Sequence, residues 1–92
     1  MEAPADRISA FLREVARAHH RAYVATDGEH AGWAAWYAER LAPMLEAEFD
    51  LRADPVSLAS ELIDADVAYR AESPAEKWPE FYAARLAARV AE

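Results

Sequence analysis

Residues 33–41 read Trp-Ala-Ala-Trp-Tyr-Ala-Glu-Arg-Leu, and residues 78–86 read Trp-Pro-Glu-Phe-Tyr-Ala-Ala-Arg-Leu. The two stretches begin 45 residues apart, and both place Trp, a second aromatic residue, Tyr, Ala, Arg and Leu at the same positions. A match at a fixed spacing is the signature of an internal repeat, and it constrains the architecture of the whole chain.

The repeat extends toward the N-terminal side of each stretch. At a spacing of 47 residues the corresponding pairs are Phe11 with Leu58, Val15 with Leu62, His19 with Asp66, Thr26 with Ser73, and Glu29 with Glu76. We therefore predict a single helical domain over residues 1–92, built from two similar helical hairpins at approximately residues 5–45 and 54–91 and related by a pseudo-twofold axis. Chance similarity in an alanine-rich chain is the alternative.

The composition favours an all-α fold, a four-helix bundle. Alanine supplies 24 of the 92 residues, there are two glycines, and cysteine is absent. Alanine has the highest helix propensity, and helical hairpins with short loops pack as four-helix bundles. Because alanine contributes little area, the aromatic side chains must supply much of the core, each burying about 150–250 Å².

The charge argues against several classes of partner. The net charge is −7, whereas nucleic-acid affinity depends on basic side chains that neutralise phosphates. The same sign disfavours anionic membrane surfaces, and the sequence contains no apolar run of membrane-spanning length and no signal peptide. We expect a cytoplasmic protein that binds no nucleic acid, no membrane and no cofactor, with a bacterial origin suggested by nine Arg to one Lys.

Apolar periodicity and capping signals predict helices over residues 4–25, from residue 32 to Pro43, from residue 55 onward, and over residues 79–90. Pro43 should end or kink the second helix because it has no N–H and clashes with the preceding turn, leaving residues 45–51 as a separate short turn. Asp54 and Pro55 are expected as the N-cap and first residue of the third helix.

Two further patterns bear on the loops and on the third helix. Thr26 with Glu29, and Ser73 with Glu76, have the spacing of capping boxes. The third helix has a broad apolar face, with Leu58, Leu62 and Tyr69 on one side and Val56, Ile63 and Val67 on the other.

A cluster of histidines and acids between the first two helices is a weak candidate for a metal site. Its members are His19, His20, Asp27 and His30. Imidazole and carboxylate groups bind divalent ions, but the spacing matches no metal-binding motif, and adjacent helical residues point about 100° apart. We expect no metal site, with His19 as a core histidine and its neighbours in solvent.

Charged residues on predicted interior faces form the main candidate binding site. His19, Asp66, Arg40, Arg70 and Arg85 all fall on faces that the apolar pattern assigns to the interior. Buried charge is costly unless it is paired, so we expect His19 and Asp66 to contact each other or one of these arginines.

The candidate ligand-binding set is completed by Trp36 and Tyr37 in the first aromatic repeat. The alternative is a structural network in which the arginines lie along tryptophan faces with their charged ends in water. Asp66 and Arg70 are four residues apart and are expected to pair.

The sequence favours a binding module over an enzyme. No catalytic residue set is recognisable, because the serines have no histidine at a readable spacing. We expect a small acidic protein-interaction module whose partner is an unknown protein or a second copy of the chain. The alternative is a small polar-ligand or anion binder, or a minor enzyme, that uses the interior His/Asp/Arg cluster.

Several short motifs resemble one family of small uncharacterised bacterial proteins. The similarity covers residues 7–88 and rests on Ala18-His19-His20, Thr26-Asp27-Gly28, Trp33-x-x-Trp36-Tyr37-Ala38 and Trp78-Pro79-x-Phe81-Tyr82-Ala83. The resemblance implies a compact helical domain and no established activity.

Overall fold

The computed structural model describes residues 3–23, 32–50 and 52–90. They form four α-helices: α1 (Pro4–Ala22), α2 (Trp33–Phe49), α3 (Pro55–Glu72) and α4 (Trp78–Val90). The described ranges contain no strand, which confirms the all-α prediction. In the same ranges, every helix is too short or too polar to cross a membrane.

The helices pack as a four-helix bundle that measures 37 × 28 × 24 Å. The most extensive packing joins α1 to α4 and α2 to α3, with smaller interfaces between α1 and α2 and between α3 and α4. Diagonal pairs barely touch, so the order around the bundle is α1, α2, α3, α4. A two-fold relation between hairpins would produce this pattern, because α1 with α4 then corresponds to α3 with α2.

Aliphatic side chains from three helices fill the centre of the bundle. The largest fully buried side chains are Ile8, Leu12, Leu41, Leu58 and Leu62. Burial of each such side chain stabilises the fold by about 1.5–3 kcal/mol. In α4, Phe81, Tyr82 and Leu86 complete the core.

The caps of α3 explain where it begins and ends. Asp54 is the N-cap, and its carboxylate accepts hydrogen bonds from the backbone N–H groups of Val56 and Ser57 at 3.4 and 3.3 Å. Together with Pro55 in the first turn, this confirms the predicted start. At the other end Ser73 adopts the left-handed conformation with φ 44° and donates its backbone N–H to Tyr69.

The predicted capping box at Ser73 and Glu76 is therefore wrong. Ser73 is the C-cap of α3, whereas α4 begins at Trp78. The spacing of a capping box was satisfied by chance, because a serine near a helix end serves either terminus. The other predicted box, Thr26 with Glu29, lies outside the described residues, and α1 ends at Ala22 rather than near Ala25.

Pro43 lies inside α2 and does not end it, so of the predicted helix end or kink the end is wrong, as is the separate turn that was expected to follow. The helix continues to Phe49. Proline removes the hydrogen bond to the carbonyl four residues earlier, and both Pro43 and Glu39 are exposed to solvent, so water can satisfy that carbonyl. Burial of Ala42 and Leu45 on either side of the proline holds the helix against the core.

Only one side of the broad apolar face of α3 is buried. Leu58 and Leu62 are in the core, whereas Val56, Ile63 and Val67 are 77, 49 and 63% exposed. The broad apolar face is therefore covered only in part, because α3 packs mainly against α2 and α4 and turns its third side to solvent.

Candidate functional site

A cavity of about 470 Å³ lies at one end of the bundle, where residues of all four helices meet. Its wall comprises His19 from α1, Trp33 and Tyr37 from α2, Asp66, Tyr69 and Arg70 from α3, and Trp78 and Tyr82 from α4. The C-terminal parts of α1 and α3 and the N-terminal parts of α2 and α4 supply these residues, as expected where neighbouring helices of a bundle run antiparallel.

The repeat identified in the sequence supplies most of the wall. Trp33 corresponds to Trp78, Tyr37 to Tyr82, and, at the longer spacing, His19 to Asp66. Each aromatic pair lies in the first turns of its helix at positions i and i+4, which share one face. Equivalent residues of the two predicted hairpins therefore face the same cavity.

Aromatic rings form a continuous wall in which neighbours are nearly perpendicular. Trp33 and Tyr37 have ring centroids 5.7 Å apart at 87°, and the equivalent Trp78 and Tyr82 are 5.2 Å apart at 63°. Tyr37 and Trp78 connect the two pairs at 6.3 Å. Edge-to-face contacts of this kind add about 0.5–1.5 kcal/mol each beyond area burial, so the wall is held in place by its own packing.

Asp66 is the acidic group of the cavity. Its Oδ1 accepts a hydrogen bond from the Tyr82 hydroxyl at 2.8 Å, and its Oδ2 forms an ion pair with Arg70 Nε at 3.1 Å. The predicted Asp66–Arg70 pair is thus confirmed. The Arg70 side chain is 79% exposed and that of Asp66 is 24% exposed, so the ion pair is a surface pair worth about 0–1 kcal/mol.

Two tyrosines of the cavity, Tyr37 and Tyr82, are neutral at physiological pH. Burial raises the pKa of Tyr37 above its ordinary value of 10.0. The pKa of Tyr82 is also raised, first by burial and then by the hydrogen bond to Asp66 and the negative charge of that carboxylate. Charge on a phenolate is disfavoured by both desolvation and a nearby anion, so Tyr82 acts here as a donor and not as a base.

His19 is buried among aromatic rings, as predicted for the middle of the apolar face of α1. It is 8% exposed, and its ring stacks on Tyr23 at 4.7 Å and meets Trp36 edge-on at 5.1 Å. His19 and Asp66 both line the cavity. Direct coupling between them remains a prediction.

The prediction that the arginines face the interior is wrong: the Arg70 side chain is 79% exposed at the cavity wall, and Arg40 and Arg85 do not line the cavity. Both are exposed, and each guanidinium lies over an aromatic ring one turn earlier: Arg40 over Trp36 at 3.5 Å and Arg85 over Phe81 at 5.6 Å. Long aliphatic stems let arginine leave an apolar face while its charge stays in water. This is the structural role given above as the alternative. Trp36, which was part of the candidate set, does not line the cavity.

Four residues of the wall were absent from the candidate set: Trp33, Tyr69, Trp78 and Tyr82. The repeat contained the signal for three of them, since Tyr82 is the counterpart of Tyr37 and the two tryptophans correspond to each other. Tyr69 follows Asp66 by three residues and so shares its helix face.

The described residues contain no group of three or more His, Asp or Glu side chains arranged to hold a metal ion. Of the weak metal candidates, His20 is exposed and His19 is buried among rings, whereas Asp27 and His30 lie outside the described residues. The functional groups described in the cavity are a carboxylate, a guanidinium, an imidazole, phenols and indoles, which suit recognition by hydrogen bonds and ring contacts.

Comparison with known proteins finds no match to a family model, to a curated protein or to a solved structure.

Proposed function

We propose that this protein is a small-molecule binding module whose ligand occupies the cavity at the end of the bundle. Ligand sites in proteins are typically cavities of about 300–1,000 Å³ lined mainly by apolar and aromatic groups, with a few placed polar groups that fix orientation. A volume of about 470 Å³ is within that range. We also propose a cytoplasmic location, because the sequence has no cysteine, which fits a reducing compartment.

The observation that carries the proposal is the convergence of the repeated aromatic motif on one open space. A domain of 92 residues has few large apolar side chains available to form its core. Trp33 and Trp78 are nevertheless only partly buried and line a cavity. Filling that cavity with a ligand would remove further aromatic area from water, which is the driving force for binding.

The test is a fragment screen by two-dimensional NMR that follows the three indole N–H signals. Ligands in the cavity should shift the signals of Trp33 and Trp78 and leave that of Trp36 unchanged. Trp36 is a matched control because it lies on α2 beside Trp33, is also partly buried, and is outside the wall. A diverse library that shifts none of the three signals, or all three equally, would contradict the proposal.

A second candidate function, protein interaction, is favoured by the exposed stripe on α3. Val56, Ile63 and Val67 are spaced by seven and four residues and therefore lie on one face of the helix, and all three are exposed. A partner protein or a second copy of the chain could cover this stripe. Concentration-dependent sedimentation that is abolished by Ile63→Glu would support a homodimer, and a monomer at all concentrations would exclude it.

A further inference from the structure

We infer that the cavity ligand is a small organic ammonium ion, held between the aromatic wall and the carboxylate of Asp66. The inference rests on the proposed binding function and adds the charge and chemical class of the ligand. Five aromatic residues and one carboxylate share the wall of a single cavity: Trp33, Tyr37, Tyr69, Trp78, Tyr82 and Asp66.

The ring arrangement suits a cation. Organic cations bind over the faces of Trp and Tyr within about 6 Å of the ring centroid, and sites for methylated ammonium groups combine several such rings into a box. Here successive rings are nearly perpendicular, at 87° for Trp33 and Tyr37, 71° for Tyr37 and Trp78, and 63° for Trp78 and Tyr82. Rings in this relation form adjoining walls, so one small cation can contact more than one of them.

The carboxylate of Asp66 is positioned to neutralise the ligand. An ionised carboxylate can accept about four hydrogen bonds; Tyr82 donates one to Asp66, and Arg70 forms an ion pair with its other oxygen. The Tyr82 hydroxyl fixes the orientation of the carboxylate from within the wall. Arg70 extends mainly into solvent, so a bound ammonium group can share or replace its contact without leaving a buried charge unpaired.

An anionic ligand is disfavoured by the same groups. It would lie beside the Asp66 carboxylate and against the electron-rich faces of the rings. Two basic groups, Arg70 and the imidazole of His19, lie on this wall; Arg70 is already paired with Asp66, and His19 is enclosed by the rings of Tyr23, Trp36 and Tyr37. The net charge of −7 also attracts cations toward the protein and repels anions.

The experiment is an NMR titration of the indole signals at constant ionic strength with choline, with its neutral isostere 3,3-dimethyl-1-butanol, and with sodium acetate. Choline should shift the Trp33 and Trp78 signals and bind at least about tenfold more tightly than the isostere, because shape and apolar area are the same and only the charge differs. This comparison uses the unaltered protein, so it does not depend on the folding of any variant.

Variants then assign the charge recognition to Asp66. Asp66→Asn should weaken choline binding by about tenfold while leaving the isostere unchanged. Asp64→Asn is the matched control, since it removes the same charge from α3 at an exposed position outside the cavity wall, and it should bind choline like the parent.

Equal binding of choline and the isostere, tighter binding of acetate, or equal losses in the two variants would overturn the ammonium inference. If fragments other than cations shift the Trp33 and Trp78 signals and choline does not, the binding function stands and the inference about charge fails. If no compound of any charge shifts them, both fail.

Discussion

Removal of the Tyr82 hydroxyl tests the polar side of the cavity. Tyr82→Phe deletes the 2.8 Å hydrogen bond to Asp66 and leaves the ring packing in place. A hydrogen bond to a charged acceptor contributes about 1.5–3 kcal/mol. Because Asp66 is 24% exposed and keeps its contact with Arg70, water compensates part of the loss, and we expect destabilisation by about 1–2 kcal/mol.

The effect is large enough to measure in a domain of this size. One kcal/mol corresponds to roughly 4–8 °C in Tm for domains of 60–100 residues, so the Tyr82→Phe variant should melt about 5–15 °C below the parent, followed by far-UV circular dichroism. Tyr69→Phe is the control. Its hydroxyl donates to the backbone carbonyl of the exposed Glu76 at 3.2 Å, and its loss should cost about 0.5 kcal/mol or less.

A double-mutant cycle with Asp66→Asn separates this contact from general effects on packing. Contacting residues in one network couple by about 0.5–3 kcal/mol, and we expect a value near 1 kcal/mol for Tyr82 with Asp66. Equal melting temperatures for Tyr82→Phe and Tyr69→Phe, or additive losses in the cycle, would refute the view that Tyr82 orients the carboxylate.

Three further predictions concern the same end of the bundle. Because folding raises the pKa of Tyr82 above its ordinary value of 10.0, its stabilising contribution is complete below about pH 10 and is lost as the pH rises further. The urea midpoint should therefore fall between pH 9 and pH 11, and this fall should be smaller in Tyr82→Phe than in the parent. Trp33→Ala and Trp78→Ala should each cost about 2–3 kcal/mol, below the 3–5 kcal/mol of a fully buried site, since both are partly exposed; melting within two or three degrees of the parent would contradict their structural role. His19→Ala and Asp66→Ala should couple by about 0.5 kcal/mol or more in a denaturation cycle, and additive losses would show that the two residues act independently.

The overall fold was readable because local signals agree with one another. The alanine content and the near absence of glycine predict a helical chain, and periodicity divides it into four helices. Asp54 with Pro55 marks the start of α3 within one residue. The same kind of local signal failed at Ser73, since a serine hydroxyl can accept from the free N–H groups at a helix start or donate to the free carbonyls at a helix end. The helix end expected at Pro43 is absent because the cost of a proline within a helix depends on solvent access to the freed carbonyl and on tertiary packing, neither of which appears in the sequence.

The periodicity of a helix indicates an apolar face but not its limits. Arg40 and Arg85 fall on the apolar stripe, yet their stems reach past it to solvent, and each charge lies over a ring one turn away. In α3 the apolar residues extend over more of the circumference than the two neighbouring helices cover, so no pattern could show that Ile63 and Val67 would be left exposed.

The cavity itself could be anticipated only through the repeat. Periodicity assigns residues to the interior and does not distinguish packed core from open space. It therefore predicts Trp33 and Trp78 as core residues, whereas both line the cavity. The correspondence of His19 with Asp66 did identify two positions that line the same cavity. Under the predicted pseudo-twofold axis, equivalent positions of the two hairpins can meet, and the pattern of one helix does not carry that information.

The two hairpins contribute similar rings but different polar groups to the cavity wall. The wall is therefore asymmetric, and a ligand should bind in one orientation. At the repeat spacing of 47 residues His19 corresponds to Asp66, and Tyr23 to Arg70. The first hairpin uses these positions for a ring stack of 4.7 Å, whereas the second uses them for an ion pair of 3.1 Å. A wall with equivalent halves would accept a ligand in two equal orientations. Because the carboxylate of Asp66 lies on the α3 side, an ammonium group is expected there and the apolar part of its ligand against α1.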